Sequence, residues 1–413
     1  MLLAFKFLIK ARKICSKLFE LIISICEFLT IESKLIKASP TLKLGEIARQ
    51  KQSEGEDVLS LALGEPDFLT PKYILDATSK AMYDGFTHYS TPQGLLELIT
   101  AIKNDYVKRF SAKYSEDEII IFPGAKAAIF AALSALLEPN DEVIIISPYY
   151  VSYPPMIKLA EYKTKSIDIP LNEDFSLPIN KIKSVITNNT KVLILNYPNN
   201  PTGQLLSKDE MREIAKIISS YKNLYLIADE IYEKLVFSND KFISFAGFEE
   251  IKDKTIIING YSKSYAMTGF RIGYALASKE VIYKMNLFNQ NTNTNTNTFV
   301  QKGVLSIYEN GDDHLNEYNK TLSFRTNYLH EEINKIPYLT GIKPKGGFYY
   351  FVNISKTKMK SVEFANLLLN NYNLVVTPGI AFGNSFDNHI RVSLSTEIDN
   401  LKRAIEILRK LSF

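Results

Sequence analysis

Four apolar runs of the sequence pass directly into residues whose side chains could take part in catalysis or binding. The runs are DEVIIISPYY (141–150), KVLILNYPNNPTG (191–203), NLYLIADEIY (223–232) and KTIIINGYSKSYAMTGFR (254–271). They deliver a carboxylate, Asp229, and an amine, Lys263, together with amide and phenol groups. A lysine amine can act as a nucleophile and move protons, and a carboxylate behind an apolar strand can hold a cation in a low dielectric. The combination indicates a polar site at the ends of these runs.

The surrounding pattern predicts the elements that position these residues. From about residue 94, helical patterns alternate with short apolar runs, which is typical of a parallel α/β sheet. Ligands of such sheets bind outside the carboxyl ends of the strands, so the four tails should converge on one crevice. Between the second and third runs, Ser207 and Glu210 have the spacing of a capping box, which predicts a crossover helix.

Each tail, taken alone, has an ordinary structural interpretation. A loop lysine such as Lys263 is usually solvated, and an aspartate after a strand, such as Asp229, is often a turn former or helix cap. The Asn-Pro-Thr-Gly sequence at 200–203 reads first as a turn. The combination and order of the four tails favour a functional site.

Composition predicts a protein with a substantial core and excludes some functions. The chain has 413 residues, of which 46% are hydrophobic and 23% charged, enough for one large or two medium domains. Lys and Arg total 49 against 45 Asp and Glu, and residues 1–38 hold the whole excess, so a nucleic-acid partner is not expected. Cys15 and Cys26 are the only cysteines. They indicate neither a disulfide framework nor a metal site, and a reducing cytoplasm is expected.

The N-terminal 37 residues form a separate feature of the sequence. Polar residues recur there in alternating steps of four and three from Lys6 to Glu27, which predicts an amphipathic helix. Its apolar runs are too short for a membrane span. Packing on the body or a partner subunit, organelle targeting and membrane-surface contact all remain open for this extension.

The motifs together resemble the class I aminotransferases, pyridoxal-phosphate enzymes of the aspartate aminotransferase type, and especially their bacterial and archaeal branch. The resemblance runs from about Ser39 to the C-terminus. It is carried by LGEPDF (63–68), THYSTPQG (87–94), PGAK (123–126), SPYYVSY (147–153), YPNNPTG (197–203), ADEIY (228–232), SKSYAMTGFRIGYA (262–275), KGGFYYF (345–351) and RVSLS (391–395). Nine motifs in order make a specific signal.

The resemblance implies roles for the residues around the cofactor. Lys263 would form a Schiff base with the cofactor aldehyde and then carry a proton, and Asp229 would keep the pyridine nitrogen protonated. Asn200 and Tyr232 resemble the donors to the cofactor's phenolic oxygen. Tyr150 stands where many relatives have a tryptophan against the ring, and a tyrosine can still stack there. Its presence weakens any transfer of substrate preference from those relatives.

The cofactor phosphate would bind at a helix start. By the resemblance, the backbone amides around Gly124, Ala125 and Lys126 contact it, and Arg271 supplies the fixed cation. Tyr89 resembles a tyrosine that reaches the phosphate from the neighbouring subunit. The resemblance therefore implies a homodimer with shared active sites.

The substrate would be an amino acid and its 2-oxo acid partner. The residues that the resemblance assigns to it are Gly64, Lys126, Asn200 and Arg391. Arg391 would hold the α-carboxylate by a bidentate pair, and Gly64 leaves room beside it. Lys126, Ser39 and Thr41 align with residues that recognise an acidic side chain, which favours aspartate with 2-oxoglutarate. Lys126 could instead only neutralise the phosphate loop, and aromatic, alanine or prephenate-type substrates stay open.

Two rival functions share these residues. A pyridoxal-phosphate lyase on the same fold would also use Lys263, Asp229 and Arg391. A non-catalytic sensor of cofactor and amino acid would usually carry a DNA-binding domain, for which the extension is too short and apolar. Transfer by a ping-pong mechanism is the expectation.

The expected fold is α/β, of the type I class of pyridoxal-phosphate enzymes. A large domain, 74–310, should hold a mostly parallel seven-stranded sheet flanked by helices. A smaller α+β domain should comprise 38–73 and 311–413, and its closure on substrate should exclude water.

One low-complexity segment, NQNTNTNTNTF (289–299), interrupts an otherwise ordinary sequence. Composition alone predicts a disordered insert. Relatives have a Ser/Thr/Asn-rich segment of similar spacing at this point, near the dimer-related site. We therefore interpret its side chains as hydrogen-bonding groups beside the partner's cofactor or substrate.

Overall fold

The four apolar runs form neighbouring strands of one sheet in a computed structural model of the chain, which describes residues 40–413, with side chains from Gly45 onward. The strands are β1 (Leu59–Ser60), β2 (Ile119–Phe122), β3 (Glu142–Ser147), β4 (Lys165–Pro170), β5 (Thr190–Asn196), β6 (Tyr225–Asp229), β7 (Thr255–Gly260), β8 (Gly273–Leu276), β9 (Thr340–Gly341), β10 (Tyr349–Asn353), β11 (Leu374–Val375), β12 (Thr377–Pro378) and β13 (His389–Ser393). The predictions for residues 1–37, which include Cys15 and Cys26, and for Ser39 lie outside the described residues.

The central sheet has seven strands in the order β2-β8-β7-β6-β5-β3-β4. Only β8 runs antiparallel to its neighbours, so the predicted mostly parallel seven-stranded sheet is confirmed. The strands β7, β6, β5 and β3 are adjacent, and their carboxyl ends therefore meet at one edge. This edge carries the tails that the sequence singled out.

Helices cover both faces of the sheet. Alternate residues of β3 belong to different hydrophobic clusters, with Val143 and Ile145 on one face and Ile144 and Ile146 on the other. A strand that is buried on both faces needs apolar residues at every position, which explains the continuous runs. The rigid, dry sheet gives the polar tails a fixed base.

The helices of the described residues follow the periodic patterns. They are α1 (Pro40–Ser53), α2 (Lys72–Tyr83), α3 (Leu96–Phe110), α4 (Ala125–Leu136), α5 (Tyr153–Ala160), α6 (Ile179–Val185), α7 (Lys208–Ser220), α8 (Lys279–Thr292), α9 (Thr298–Asn310), α10 (Asp313–Ile333), α11 (Ser361–Tyr372) and α12 (Ile398–Arg409). The predicted crossover helix is confirmed as α7, whose capping box pairs the Glu210 N–H with the Ser207 hydroxyl at 3.2 Å. Among these helices, none is both long and apolar enough to cross a lipid bilayer.

A second, antiparallel sheet carries the C-terminal motifs. Its order is β12-β13-β10-β9, and a separate parallel pair joins β1 to β11. The parallel pair links the segment before residue 73 with the C-terminal part of the chain. The division into domains 74–310 and 38–73 with 311–413 stays a prediction.

The contact between α2 and α9 depends on Gly303. An alanine Cβ at this position would lie 2.9 Å from the Thr78 Cβ and 3.1 Å from the Thr78 Cα. These distances leave no room for a methyl group without a shift of one helix against the other. The close approach matters because α9 begins where the Asn/Thr segment ends.

We expect Gly303→Ala to lower the melting temperature of the protein, since overpacking costs about 1–3 kcal/mol. The control is Gly45→Ala in α1, where the new Cβ would lie 4.0 Å from Arg49 Nη1. Alanine favours a helix over glycine by about 1 kcal/mol, so the control should hold or raise the melting temperature. Equal thermal stability of the two variants would contradict the close packing of α2 on α9.

Candidate active site

Lys263 lies in the loop that follows β7, with its amine inside the protein. The Nζ atom donates a hydrogen bond of 2.6 Å to the Gly64 carbonyl oxygen. Burial lowers the pKa of the Lys263 amine to about 8, and the charges of Arg391 and Arg271 act in the same direction. The charges of Glu65 and Asp229 oppose them. The uncharged form of this amine, which a nucleophile or base requires, is therefore far more abundant near neutral pH than it is for an ordinary lysine.

Asp229 ends β6 and is 4% exposed. The Tyr153 hydroxyl donates to its Oδ2 at 2.6 Å, and the Ile231 N–H donates to its Oδ1 at 3.3 Å. Burial raises the pKa of the Asp229 carboxyl to about 6, against the opposing effect of these hydrogen bonds and of Lys263. A cation placed beside this carboxylate would be bound strongly, because the pair would form in a water-poor environment.

Arg391 lies on β13 among aromatic rings. Its Nη2 donates to the Ala62 carbonyl at 2.9 Å and to the Thr377 hydroxyl at 3.3 Å. The guanidinium carbon stands 4.1 Å from the Tyr349 ring centroid. The Nε atom is buried and has no partner among the described residues. A fixed guanidinium with an unused buried donor is suited to a carboxylate ligand.

Asn200 and Tyr232 flank this arginine. Arg391 Nη1 donates to Asn200 Oδ1 at 3.1 Å, so the Asn200 amide nitrogen is left to donate elsewhere. Tyr232 is 4% exposed, and its ring centroid lies 6.1 Å from that of the Tyr349 ring. Burial raises its pKa well above the ordinary value, which keeps the phenol protonated as a donor.

A helix start and a guanidinium together form an anion cradle. Gly124 precedes α4 with φ of +96°, and a Cβ on it would lie 2.4 Å from Arg271 Nη2. The first N–H groups of a helix, here Ala125 and Lys126, have no partner within the helix. Gly273 lets this turn approach β8, since a Cβ there would lie 2.5 Å from the Ala125 nitrogen. The arrangement suits a phosphate dianion.

Three predicted residues are half-buried or exposed. Tyr150 is half-buried and stands edge-on to Tyr153, with ring centroids 5.5 Å apart. Lys126 is exposed, with its Nζ 5.6 Å from the Tyr150 ring centroid. Tyr89 is 86% exposed, so it makes little contact with its own chain. Thr41 lies in α1, and its side chain is outside the described part.

The Gly64 segment is fixed by an ion pair behind it. Asp67 binds Arg325 of α10 at 2.8 Å and accepts hydrogen bonds from the hydroxyls of Tyr318 and Ser395. Arg325 also donates to the Leu394 carbonyl at 3.2 Å. The same helix therefore connects the Gly64 segment with the chain that follows Arg391.

The start of α10 fixes the Lys263 loop. The Tyr265 hydroxyl donates to Asp312 Oδ1 at 2.6 Å, and Lys234 donates to that hydroxyl at 2.7 Å. His314 Nε2 lies 3.2 Å from the Ser264 carbonyl oxygen. These bonds hold the two residues that follow Lys263 and so limit the positions that its backbone can take.

Sequence reasoning missed four side chains of the site: Tyr153, Tyr349, Thr377 and Phe382. Tyr153 and Tyr349 lie inside quoted motifs, but no pattern pointed to their contacts. Thr377 faces Arg391 across the β12–β13 register, and Phe382 lies 5.1 Å from the guanidinium. Such contacts follow from strand pairing, which a single sequence does not reveal. The catalytic and binding roles of the predicted residues remain proposals.

Comparison with known proteins places this geometry in a family. The family model described as aminotransferase class I and II matches residues 56–408. An aspartate aminotransferase of Bacillus sp. strain YM-2 is 36% identical over 386 residues, which is 92% of this chain and 98% of the relative. A probable aspartate/prephenate aminotransferase of Aquifex aeolicus is 35% identical over 384 residues, which is 90% of this chain and 97% of the relative.

Solved structures agree with the sequence relatives. The aspartate aminotransferase of Rhizobium meliloti superposes with a TM-score of 0.87 at 31% identity, covering 91% of this chain and 96% of that one. An aromatic aminotransferase of Pyrococcus horikoshii superposes with a TM-score of 0.83 at 33% identity, covering 88% of this chain and 98% of that one. The family match spans most of the chain, and the relatives are similar over nearly their whole length. The chain belongs to the class I and II aminotransferases.

Proposed function

We propose that this aminotransferase moves the amino group of L-aspartate to 2-oxoglutarate, with pyridoxal phosphate held covalently by Lys263. The observation that carries the proposal is the burial of the Lys263 amine beside Asp229, Arg271 and Arg391, whose charges all act on its pKa. Amino transfer with this cofactor needs a nucleophile, a buried carboxylate and two guanidinium groups, and the site contains all of them.

The residues of the site fit the cofactor. Its phosphate matches the cradle of Gly124 and Arg271, which a Cβ on Gly124 would fill. Its ring nitrogen matches Asp229, a buried carboxylate that lacks a cationic partner within 4.0 Å in the described residues. Tyr232 and Asn200 would donate to its phenolic oxygen, and Tyr150 would lie against its ring.

The bound cofactor supplies an electron sink for the bond that breaks at the substrate α-carbon. Once the substrate amine has displaced Lys263 Nζ from the cofactor, this freed amine would be the base that takes the α-proton from the substrate and passes it to the cofactor in one half-reaction, and that carries a proton in the opposite direction in the other. Arg391 fixes the substrate through its α-carboxylate, so that the α-proton faces this amine. Both half-reactions use the same residues, which is consistent with a ping-pong mechanism.

The preference for an acidic side chain rests on Lys126. Its ammonium is exposed at the mouth of the site, 5.6 Å from the Tyr150 ring. A cation there can meet the distal carboxylate of aspartate or 2-oxoglutarate. The relatives named for aspartate support this preference, whereas the aromatic and aspartate/prephenate relatives keep a broader substrate range as the alternative.

The active site is proposed to be completed by a second copy of the chain. Eight of the 17 large apolar side chains that are exposed in the described part of the chain lie between residues 63 and 96. They are Leu63, Leu69, Leu75, Met82, Tyr83, Phe86, Tyr89 and Leu96. A concentration of exposed apolar groups marks an interaction surface. We infer a homodimer in which Tyr89 enters the partner's site.

The position of the protein in the cell is also a proposal. The two cysteines and the amphipathic pattern belong to the segment before residue 40, outside the described residues. A cytoplasmic enzyme is the expectation, with targeting or membrane contact by that segment as the alternative.

Lys263 should be the residue that carries the cofactor. After incubation of the full chain with pyridoxal phosphate and reduction with borohydride, mass spectrometry should find the adduct on Lys263, and Lys263→Ala should abolish it. Lys284→Ala, which removes an exposed amine of α8, should leave the adduct in place. An adduct on another lysine would contradict the assignment.

The attachment rate should depend on pH through the same amine. Its pKa is lowered from 10.5 to about 8, so the reactive free amine accumulates as the pH rises through about 8. At pH 7 about a tenth of it is free, compared with about three parts in ten thousand for an ordinary lysine. The attachment rate of the cofactor-free protein should therefore level off near pH 9, as stopped-flow absorbance would show, whereas a rate that still climbs steeply at pH 10 would contradict the buried amine.

Lys126→Met should change substrate preference. Loss of a charge-assisted hydrogen bond should lower kcat/KM for aspartate by about tenfold or more, whereas kcat/KM for alanine should hold within about twofold. Steady-state kinetics with both donors measures this ratio. If cofactor affinity falls and the aspartate-to-alanine ratio stays unchanged, Lys126 only neutralises the phosphate loop.

Mixed dimers test whether Tyr89 acts across subunits. Lys263→Ala and Tyr89→Ala chains are refolded or coexpressed together, and differently tagged mixed dimers are purified. One site of the mixed dimer then has Lys263 from one chain and Tyr89 from the other, so its activity per intact site should equal that of the wild type. Activity at the level of the Tyr89→Ala homodimer would show that Tyr89 serves its own chain.

A further inference from the structure

The Asn/Thr segment, residues 289–299, is ordered around two helix ends. Its first residues finish α8, and Thr298 opens α9. Near its end the burial alternates, since Thr296 and Thr298 are buried and Asn297 is exposed. Thr296 and Thr298 are therefore packed against the protein, whereas residues 291–294 are exposed.

The inward side chains bond to one stretch of the same chain. Asn289 Nδ2 donates to the Pro92 carbonyl at 2.7 Å, and Thr298 donates to the His88 carbonyl at 2.8 Å. Asn295 Nδ2 lies 3.2 Å from the Ser90 hydroxyl oxygen. The three partners lie within the Tyr89 loop, which we define as residues 84–95 between α2 and α3.

Gln301 extends this contact to the end of the Tyr89 loop. The Leu95 N–H donates to Gln301 Oε1 at 2.8 Å, and Gln301 Nε2 donates to the Thr296 carbonyl at 2.8 Å. Gln301 is fully buried. Gly94 has φ of +119°, and a Cβ on it would lie 2.3 Å from Ile121 Cγ1 and 3.2 Å from Gln301 Oε1. The loop is thus held between β2 and the Asn/Thr segment.

These bonds hold the residues on both sides of Tyr89 but leave its side chain free. His88 and Ser90 are bonded to Thr298 and Asn295, while the Tyr89 ring is 86% exposed. A loop that presents one exposed phenol to a partner binds better when its backbone is already fixed, because less entropy is lost on binding.

We propose that Asn289, Asn295, Thr298 and Gln301 form a clamp that positions the Tyr89 loop, so that the Tyr89 hydroxyl reaches the cofactor phosphate in the partner's site. The proposal rests on the proposed function, which places Tyr89 there. The clamp residues bond to the Tyr89 loop of their own chain and act on the partner's site through Tyr89. The side chains of the Asn/Thr repeat then form hydrogen bonds within their own chain. They affect the partner's site indirectly, through the position of Tyr89.

The segment contains its own matched controls. Thr298→Val removes a hydroxyl that bonds to the Tyr89 loop, whereas Thr292→Val removes one that donates to the Phe288 carbonyl of its own helix and accepts from the adjacent Asn293 amide. Asn295→Ala and Asn291→Ala form a second pair, since Asn291 bonds to the Leu287 carbonyl of the same helix. Each pair changes the same residue type within the same repeat.

The experiment measures the dissociation constant of pyridoxal phosphate for the cofactor-free full chain, with the melting temperature alongside. Thr298→Val and Asn295→Ala should each weaken cofactor binding about fivefold, the effect of one hydrogen bond of ordinary net strength, while the two controls stay within twofold of wild type. In a Tyr89→Phe background, which lacks the hydroxyl, Thr298→Val should cause no further loss.

The outcomes separate the clamp from the proposed function. If the wild type binds the cofactor and Tyr89→Phe weakens binding, but Thr298→Val and Asn295→Ala lower only the melting temperature, the clamp is wrong and the proposed function stands. An equal loss for Thr298→Val with and without the Tyr89 hydroxyl would also overturn it. A Tyr89→Phe variant with wild-type affinity removes the role of Tyr89 and the clamp with it. A wild type that binds no cofactor would instead refute the function.

Discussion

Removal of the Lys263 amine from water sets the conditions for the rest of the site. Burial disfavours the ammonium form, and the nearby guanidinium groups of Arg391 and Arg271 disfavour it further, so its pKa falls to about 8. In the proposed function, those same guanidinium groups would supply the charge that a phosphate and an α-carboxylate need. Asp229 is buried as well, and its pKa of about 6 leaves it ionised at neutral pH. One dry environment thus raises the fraction of free amine and keeps an ionised carboxylate in the same site.

Such an arrangement needs rigid support, because buried charges without fixed partners are costly. The long helix α10 provides much of it. Near its start Asp312 holds Tyr265, two residues after Lys263, and further along Arg325 holds Asp67, three residues after Gly64. Contacts with one helix therefore hold both the segment of Lys263 and the segment of Gly64, whose carbonyl oxygen accepts the hydrogen bond of the amine.

The fold and the chemical groups were predictable to different degrees. Continuous apolar runs with polar tails predicted the parallel sheet and the edge that carries the candidate site. A short run that is apolar at every position is typical of a strand buried on both faces. The motifs around Lys263 and Asp229 pointed to one site, which the structure brings together. The bond from Tyr153 to Asp229 and the contact of Thr377 with Arg391 were not predictable, because they depend on helix placement and strand register. Long-range pairing of this kind leaves no periodic trace in a single sequence.

Lys263 and its surroundings are proposed to carry out amino transfer in two separate half-reactions. The most direct test is a single-turnover experiment, in which the cofactor-loaded protein is mixed with L-aspartate before any acceptor is present. We expect a single equivalent of oxaloacetate per loaded site, no release of ammonia, and a halt until 2-oxoglutarate is added. Continued turnover with release of pyruvate or ammonia would contradict the proposal and would indicate a lyase.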